Sequence, residues 1–414
     1  MNNLKEKYDC IIVGGGPAGS AAATIISQGG FDTLLLEREA MPRYHIGESL
    51  MPEAFWCFER LGVLDQMRNS DYVRKFSVQF VSSTGKESQP FFFKQHDPRE
   101  CSSTWQVERA EFDHMLFKNA EANGASCVDQ ARVMDVLMDG DRAVGATVQT
   151  AEGTSKEVRA KVVVDATGLQ AVIAHRMGLR HDEEDLKKIA IWSYFENAER
   201  DPGEHGGATI ILHTEKKDSW FWFIPLRNGI TSVGVVGDRN YMLEGRESPE
   251  QTFADELALC PAMQRRLAPS TNIEKYRVAR EFSYTTTQQS GDGWVLVGDA
   301  MGFIDPIYSS GVYFALQSGI MAADAIVTGL KNDDTSATQL ASWVDEFREG
   351  TQWIRKLVDV YYCNPFSMGR FLKMYPQYIG NVTDLLIGRI FYDGAGAVFR
   401  DLDPAMQMAI NDAQ

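Results

Sequence analysis

The sequence has few cysteines and histidines for its length, and none of them has the spacing of a metal site. Its 414 residues include six cysteines and seven histidines. They form no CxxC, HxH or HExxH pair, the patterns that bring sulfur or imidazole ligands to one metal ion. We therefore expect reduced thiols and no protein-bound metal.

Long apolar runs and positive charge are also scarce. No stretch of about 18 uninterrupted apolar residues occurs, so we expect no membrane-spanning helix. The N-terminus lacks the apolar segment of a secretory signal, which favours a cytoplasmic protein. With 41 Lys and Arg against 57 Asp and Glu, the formal charge is −16, which disfavours a nucleic-acid partner. The hydrophobic fraction of 44% suffices for a sizeable core and excludes a disordered chain.

A nucleotide-binding pattern fills the first forty residues. The apolar residues 8–13 predict a buried parallel strand, which runs directly into GGGPAG at residues 14–19. In such a turn Gly14 permits the tight bend, Gly16 lets the backbone approach a pyrophosphate, and Gly19 allows close packing of helix on strand. A helix and a second strand over residues 33–36 complete the unit. The residues that we assign to the nucleotide are Gly14, Gly16, Ala18, Gly19, Glu37 and Arg38, with Glu37 placed to accept hydrogen bonds from ribose hydroxyls.

Three later segments resemble those of FAD monooxygenases of the glutathione-reductase type. Residues 106–109 read QVER, residues 162–168 read VVVDATG, and residues 293–300 read GWVLVGDA. The resemblance implies that the dinucleotide is FAD, with Asp299 on the ribityl chain and Arg109 against the flavin. The residues that it adds to the cofactor site, together with the HIGESL turn and the segment after GWVLVGDA, are Glu48, Gln106, Arg109, Asp165, Gly298, Asp299, Gly311 and Val312.

The same resemblance implies the fold class, an α/β protein whose Rossmann-like FAD-binding domain is similar to that of para-hydroxybenzoate hydroxylase. Alternating apolar residues over 76–81, 191–195, 209–212 and 230–236 predict an inserted antiparallel sheet, the substrate domain. Helical patterns over 311–330 and 339–359 precede an aromatic-rich tail that we expect to form a lid. The partition that we predict is 1–70, 100–185 and 285–330 for the FAD-binding domain, 71–99 and 186–284 for the substrate domain, and 331–414 for a helical C-terminal region.

A pair of tryptophans marks one predicted strand of the inserted sheet. Residues 219–225 read SWFWFIP, and alternate residues of a strand point to one face, so Trp220 and Trp222 present two rings together. Trp-x-Trp-x-Ile-Pro is the hallmark of the flavin-dependent halogenases, and the sequence resembles that family. A wall of two rings would keep a substrate away from the flavin and so suppress direct oxygenation.

A candidate catalytic lysine extends this resemblance. The segment DYVRKFSVQF, residues 71–80, is similar to the halogenase segment that contains the catalytic lysine, which implies that role for Lys75. Lys86 is a second and weaker candidate. Burial lowers the pKa of a lysine, so that either its ammonium form, by hydrogen bonding, or its amine form, as a haloamine, can handle hypohalous acid.

A candidate halide site follows the second FAD segment. Residues 303–312 read FIDPIYSSGV and resemble the halogenase segment in which a proline turn leads into a helix. The free amides at that helix start, around Ser309, Ser310 and Gly311, form a natural anion site. Tyr308 stands where tryptophan halogenases have a glutamate, which implies the phenol or pyrrole subgroup.

Together these resemblances imply an FADH2-dependent halogenase. A separate flavin reductase would supply FADH2, O2 would give a flavin C4a-hydroperoxide, and chloride or bromide would convert it to hypohalous acid for use at Lys75. The substrate would be an electron-rich phenol or pyrrole, free or tethered to an acyl or peptidyl carrier protein. The alternatives are an NAD(P)H-dependent FAD aromatic hydroxylase, a geranylgeranyl-reductase-like flavoprotein and a non-catalytic flavin scaffold. Halide preference, regiochemistry, oligomeric state and covalent attachment of FAD stay open.

Overall fold

The computed structural model describes residues 4–183, 186–280 and 283–413. Its strands, in chain order, are β1 (Lys7–Val13), β2 (Thr33–Leu36), β3 (Val73–Lys75), β4 (Ser77–Val81), β5 (Phe91–Phe92), β6 (Thr104–Gln106), β7 (Ser126–Val128), β8 (Arg132–Asp139), β9 (Arg142–Gln149), β10 (Ser155–Asp165), β11 (Arg180–Asp182), β12 (Lys188–Glu196), β13 (Thr209–His213), β14 (Ser219–Pro225), β15 (Ile230–Asp238), β16 (Thr271–Asn272), β17 (Arg277–Arg280), β18 (Tyr284–Thr286), β19 (Ser290–Gly291), β20 (Trp294–Leu296) and β21 (Gly302–Phe303).

The α-helices are α1 (Pro17–Gln28), α2 (Ala54–Leu61), α3 (Leu64–Arg68), α4 (Phe93–His96), α5 (Arg109–Ala122), α6 (Val172–Arg176), α7 (Arg239–Leu243), α8 (Pro249–Ala258), α9 (Pro261–Leu267), α10 (Gly311–Lys331), α11 (Ala337–Leu340), α12 (Val344–Tyr362), α13 (Met368–Met374), α14 (Ile379–Ile387) and α15 (Phe399–Ala413). Short 3-10 helices occur at Glu100–Ser102, Gly168–Gln170, Gly203–Gly207, Arg227–Gly229, Gly298–Ala300 and Pro376–Tyr378.

The first sheet belongs to the nucleotide-binding unit. Its parallel strands lie in the order β7, β2, β1, β10 and β20, and β19 and the β8–β9 hairpin extend it in antiparallel fashion. β1, β2 and β20 consist mostly of buried apolar residues, as expected for strands covered on both faces. The strands predicted over 8–13 and 33–36 are confirmed. Val13 pairs with both Leu36 and Asp165, so the loops after β1, β2 and β10 meet at one edge.

Two helices dominate one face of the first sheet. α1 and α10 pack against each other, in one apolar core with α2, α5 and strands of the sheet. α10 is long and apolar enough to cross a membrane, but 56% of its most apolar stretch is buried inside the protein. Its contacts with α1 and α2 identify it as a core helix.

The second sheet has the strand order β16, β12, β15, β14, β13, β4 and β5, with β17 also paired to β12. The predicted inserted sheet is confirmed, and its pairs are antiparallel except that β4 runs parallel to β13. The chain between β4 and β13 passes through the first sheet, and a long crossover of this kind permits parallel pairing. Alternation along β14 sends Phe221 and Phe223 into the core under α8 and α9, whereas Trp220 and Trp222 point to the opposite face.

The C-terminal region is helical, as predicted, but one helix differs from its predicted bounds. The pattern over 339–359 predicts a continuous helix, whereas α11 ends at Leu340 and α12 begins at Val344. Trp343 is buried at the break, and its indole N–H donates to the carbonyl of Leu340 at 3.1 Å, which satisfies one of the carbonyls that a helix end leaves free. The last turn of α12 packs on the face of β14 that carries the tryptophans.

Smaller sheets connect these parts. β3 pairs with β6, and β11, β18 and β21 form a three-stranded sheet. We propose that this fold is divided as predicted into an FAD-binding domain, a substrate domain and a C-terminal region. β3, at the start of the substrate domain, pairs with β6 of the FAD-binding domain and so connects the two.

Candidate active site

A cavity of about 660 Å³ lies where the parallel strands of the first sheet end. One wall is formed by the loops after β1, β2, β10 and β20. The opposite wall is formed by the second sheet and includes Trp192, Trp220 and Trp222. The carboxyl edge of a doubly wound sheet is the place where such folds bind nucleotides.

The glycine turn after β1 provides room for a pyrophosphate. Gly14 has φ +111°, and a Cβ there would lie 2.2 Å from the carbonyl oxygen of Ala166. A Cβ on Gly19 would lie 1.9 Å from the carbonyl oxygen of Gly14, so Gly19 serves packing. Gly16 is different, because a Cβ there would meet only Arg43, at 3.5 Å. The open volume above Gly16 lies at the N-terminus of α1, where free amides and the helix dipole favour phosphate.

Glu37 lies beside this turn with a fixed carboxylate. Its two oxygens accept backbone N–H groups of Gly15 and Glu39, each at 3.0 Å, and Nε of Arg43 is 3.6 Å from Oε2. Glu37, Arg38 and Arg43 all line the cavity. A carboxylate has about four lone-pair sites, so Glu37 keeps capacity for ribose hydroxyls.

A buried cluster of two arginines and one aspartate supports the cavity floor. Arg109 binds Asp113 through Nε and Nη2, at 2.7 and 3.0 Å, and Arg43 Nη1 binds the same carboxylate at 2.6 Å. Burial alone would raise the pKa of the Asp113 carboxyl, but the two guanidinium groups hold it below its usual value. Arg109 also donates from Nη1 to the carbonyl of Ile46 at 2.6 Å, which fixes the loop that lines the cavity.

Replacing Asp113 with asparagine is expected to lower the free energy of unfolding by about 3 kcal/mol, because the buried guanidinium of Arg109 loses its counter-charge and that of Arg43 loses the nearer of its two carboxylates. Since the pKa of Asp113 is depressed in the folded state, its stabilisation is present above the ordinary aspartate pKa of about 3.9 and is lost as the pH falls below it. Urea unfolding of the flavin-free protein measures both effects. Asp324→Asn, in an exposed pair with Arg60, is the control and should cost less than about 1 kcal/mol. Equal losses in the two variants would contradict this account of the cluster.

The flavin end of the cavity carries a buried acid and a helix start. Asp299 lines the cavity; burial raises the pKa of its carboxyl to about 6, with Arg109 opposing that rise. Gly311 and Val312, the first residues of α10, line the same end. The open cradle above Gly16, the arginines near it and the carboxylate of Asp299 at the other end fit the phosphates and the ribityl chain of FAD.

Apart from Lys75, five predicted site residues do not line this cavity, namely Gly19, Gln106, Asp165, Gly298 and Ser310. Asp165 accepts hydrogen bonds from Thr167 N and Oγ1 and from Ile173 N, at 2.6 to 3.0 Å, so its carboxylate holds the turn after β10. Gln106 is buried, and its Nε2 donates to Thr209 Oγ1 at 2.9 Å and to a backbone carbonyl. These side chains shape the cavity wall from behind. Within the described ranges, no three His, Cys, Asp or Glu side chains are grouped to hold a metal ion.

The tryptophan pair forms one wall of the cavity. Trp220 and Trp222 have ring centroids 6.4 Å apart, and Trp192 of β12 lies 6.3 Å from Trp222. The ring of Trp222 lies over Gly234 of β15, where a Cβ would come within 2.2 Å of it. A glycine at this position is therefore required for the wall to lie flat on the sheet.

The C-terminal region covers the far side of that wall. Trp220 Nε1 donates to the hydroxyl of Tyr362 at 2.9 Å, and that hydroxyl donates to Asp305 Oδ2 at 2.9 Å. The hydroxyl of Tyr308 donates to the carbonyl of Leu357 at 3.1 Å. The end of α12 is thus tied both to the tryptophan strand and to the loop that precedes α10.

Lys75 lies at the end of β3 and is 4% exposed. Its Nζ donates to Ser49 Oγ at 2.9 Å and to the carbonyl of Leu50 at 3.1 Å. Burial lowers the pKa of its ammonium group to about 7. Beside it is a separate space of about 10 Å³, and Thr209 and Ser309 line both this space and the large cavity. Lys75 therefore lies one layer of side chains behind the cavity.

Of the predicted halide residues, Ser309 lines both spaces, Gly311 lines the large cavity, and Ser310 lies between them in the chain. Ser309 has φ +60°, and Ser310 immediately precedes the first residue of α10. The first intrahelical bond runs from Phe314 N to Ser310 O at 2.9 Å, so the earlier amides of that turn have no intrahelical acceptor. The loop thus presents amide donors beside Ser309.

Four residues of the site escaped the sequence analysis, namely Tyr44, Trp192, Tyr194 and Thr209. Tyr194 donates a hydrogen bond to the predicted residue Glu48, which lines the cavity, and contacts Tyr44. Trp192 and Tyr194 are two residues apart on the strand predicted over 191–195, so their side chains share one face of that strand. This spacing, which matches that of Trp220 and Trp222, is the sequence signal that identifies them as site residues. No local signal identifies Thr209, whose place between the two spaces depends on sheet packing.

Comparison with known proteins finds relatives that match nearly the whole chain. Residues 7–348 match the family described as FAD binding domain. The chain is 32% identical over 394 residues to a 1H-pyrrole-2-carbonyl-(peptidyl-carrier protein) brominase of Pseudoalteromonas luteoviolacea, with 94% of each protein covered. It is 29% identical over 406 residues to the corresponding chlorinase of Pseudomonas fluorescens, covering 93% of this chain and 90% of that enzyme.

A solved structure extends the likeness to the fold. The flavin-dependent brominase Bmp2 superposes with a TM-score of 0.87 at 30% identity, over 96% of this chain and 98% of that one. The predicted fold class and the FAD cofactor agree with these relatives. With its FAD cavity, its tryptophan strand and these relatives over nearly its whole length, the chain belongs to the flavin-dependent halogenases.

Proposed function

We propose that this enzyme uses reduced FAD from a separate flavin reductase, O2 and chloride or bromide to make hypohalous acid, which Lys75 directs onto an electron-rich ring. Bound reduced FAD supplies the electrons that activate O2 for oxidation of the halide. The protein's own residues bind the cofactor, hold the halide and guide the oxidised halogen. A cytoplasmic location, where a reductase and NADH are present, completes the proposal.

The observation that carries this proposal is the buried amine of Lys75 next to the flavin cavity. Thr209 and Ser309 line both the space at Lys75 and the cavity, and Ser49, which lines the cavity, accepts a hydrogen bond from the Lys75 amine. A pKa of about 7 makes both the ammonium and the amine available near neutral pH. The ammonium form would donate a hydrogen bond to hypohalous acid, and the amine form would capture the halogen as a haloamine.

The halide is proposed to bind at the start of α10. Ser309 and Gly311 line the cavity, and the free amides of the first helical turn together with the positive end of the helix dipole attract an anion. Trp220 and Trp222 form the opposite wall and keep a ring out of the cavity. Halide oxidation and ring substitution would then occur on opposite sides of Ser309.

We propose a pyrrole or phenol ring tethered to a carrier protein as the substrate. Two relatives act, by name, on pyrrole-2-carbonyl groups carried by a peptidyl carrier protein. The space at Lys75 holds roughly one water molecule, so a ring reaches Lys75 only if lining side chains, which include Leu386 and Tyr308, move aside. Leu386 belongs to α14, which supports the predicted role of the C-terminal region as a lid.

Mass spectrometry with matched substrates tests the proposal. The enzyme is supplied with FAD, an unrelated flavin reductase, NADH and bromide or chloride, together with pyrrole-2-carboxylate either free or as its thioester on a carrier protein. We expect the halogen isotope pattern on the carrier-bound ring and none on the free acid. Halogenation of the free acid alone would contradict the tethered substrate, and a matched panel of phenols distinguishes the two ring classes.

A further inference from the structure

Glu48 is a buried acid for which the proposed chemistry has no role so far. It is 2% exposed, lines the cavity, and accepts a hydrogen bond on Oε1 from the Tyr194 hydroxyl at 2.6 Å. In the part of the chain that the structure describes, no hydrogen bond of good geometry reaches its Oε2, although the Ser232 hydroxyl lies close enough to act on the carboxylate. An unpaired buried carboxylate oxygen costs free energy, so a functional reason for it is needed.

A directed chain of hydroxyls leads from Glu48 to an exposed side chain. The hydroxyls of Tyr194 and Tyr44 are 3.0 Å apart, and Trp192 Nε1 donates to the hydroxyl of Tyr44 at 2.8 Å. Because Tyr194 uses its proton for Glu48, the proton between the two tyrosines comes from Tyr44. Tyr44 is 40% exposed and, like Glu48, lines the large cavity. Every hydrogen bond in the chain therefore points from the exposed end toward Glu48.

The groups around Glu48 leave it able to hold or release a proton. Burial raises the pKa of its carboxyl to about 7, while Tyr194, Arg109 and Ser232 oppose that rise. Arg277 stacks on Tyr44, with its guanidinium carbon 3.8 Å from the ring centroid. Burial and the charge of Glu48 raise the pKa of Tyr194 far above its usual value, so the Tyr194 hydroxyl stays protonated and can donate to Glu48.

The proposed reaction requires a proton in the cavity. An aromatic C–H, a halide ion, O2, reduced FAD and one proton give the aryl halide, oxidised FAD and two water molecules. The two oxygen atoms are reduced, and the halide and the flavin are oxidised. We propose that Tyr44, Tyr194 and Glu48 form a proton relay that carries this proton from the exposed Tyr44 to the buried Glu48, which delivers it to an oxygen atom leaving as water.

The inference rests on the proposed halogenation, and its first test is independent of that activity. In flavin-free protein, infrared difference spectroscopy follows the C=O stretch of the protonated carboxyl, assigned by its absence in Glu48→Gln. We expect titration with a midpoint at about 7, and a higher midpoint in Tyr194→Phe, because the carboxylate loses its hydrogen-bond donor. An unchanged midpoint in Tyr194→Phe would overturn the link between the two groups.

The second test measures proton delivery in the reductase-coupled enzyme. Tyr194→Phe keeps the ring but breaks the chain, so we expect halogenation to slow about tenfold and its solvent isotope effect in D2O to increase. Tyr276→Phe, on the opposite face of the second sheet against Phe253, is the control and should leave both unchanged. A rate and isotope effect equal to wild type in Tyr194→Phe would overturn the relay. If wild-type protein halogenates no ring, the proposed function fails, and the infrared titration alone decides the link between Glu48 and Tyr194.

Discussion

Replacing Lys75 with alanine is expected to lower the rate of halogenation by about 10³-fold or more, with FAD affinity unchanged. A loss of about 10³-fold is typical when the removed side chain exchanges protons or hydrogen bonds directly with the reacting species. FAD affinity is expected to persist because Lys75 lies behind Ser49 and Thr209 and does not line the large cavity. Product is measured by mass spectrometry and FAD affinity by flavin fluorescence.

Lys86→Ala is the matched control for this change. Lys86 lies in an exposed turn, so its loss should leave halogenation at the wild-type rate. Lys75→Met, which keeps most of the side-chain volume without the amine, should be as inactive as Lys75→Ala. Equal amounts of halogenated product from wild type and either Lys75 variant would contradict the role of Lys75.

The pH profile of halogenation distinguishes the two forms of Lys75. Its pKa is lowered to about 7, so the ammonium form predominates below that pH and the amine form above it. Because the pKa of Glu48 has about the same value, the profile is measured in Glu48→Gln, where a rate that still falls as the pH rises through 7 supports hydrogen bonding by the ammonium. A rate that falls as the pH drops through 7 supports capture by the amine.

Replacing Gly16 with valine is expected to weaken FAD binding by about 100-fold, or about 2.7 kcal/mol, without unfolding the protein. Gly16 has φ −76° and ψ −173°, a conformation that any residue adopts, so the backbone tolerates a side chain. The added carbons would fill the open volume at the start of α1 that is proposed to hold the pyrophosphate. Thermal unfolding of the flavin-free protein and titration with FAD measure the two properties separately.

Valine substitutions at two other glycines serve as comparisons for this prediction. Gly369→Val, on an exposed part of α13 with open space around it, should alter neither FAD affinity nor folding. Gly19→Val should prevent folding, because its side chain would collide with the backbone of Gly14. Wild-type FAD affinity in Gly16→Val would mean that the pyrophosphate does not lie at this turn.

The parts of the fold that the sequence predicts well are local in the chain. β1, the glycine turn, α1 and β2 follow one another within about thirty residues, and each is specified by apolar periodicity or by glycine at a crowded position. The tryptophan wall is equally local, since residues two apart on a strand share a face. The need for a glycine at position 234 does not follow from the local sequence, because Gly234 meets the Trp222 ring only when the sheet has formed.

The parts that the sequence does not predict depend on contacts between distant segments. Tyr194 reaches Glu48, and Ser49 reaches Thr209, only because the second sheet packs over the loop after β2. Gln106 was assigned to the flavin from its motif, but the geometry of β6 turns its amide toward Thr209. A motif gives the residue type at a position, whereas the direction of the side chain depends on strand pairing.

The most direct test of the account is the mass of the product formed from the reductase-coupled enzyme with bromide, with chloride and without halide. The account predicts a product with the halogen isotope pattern that requires both the reductase and the halide. A mass gain of one oxygen, independent of halide, would contradict it and identify the enzyme as a hydroxylase.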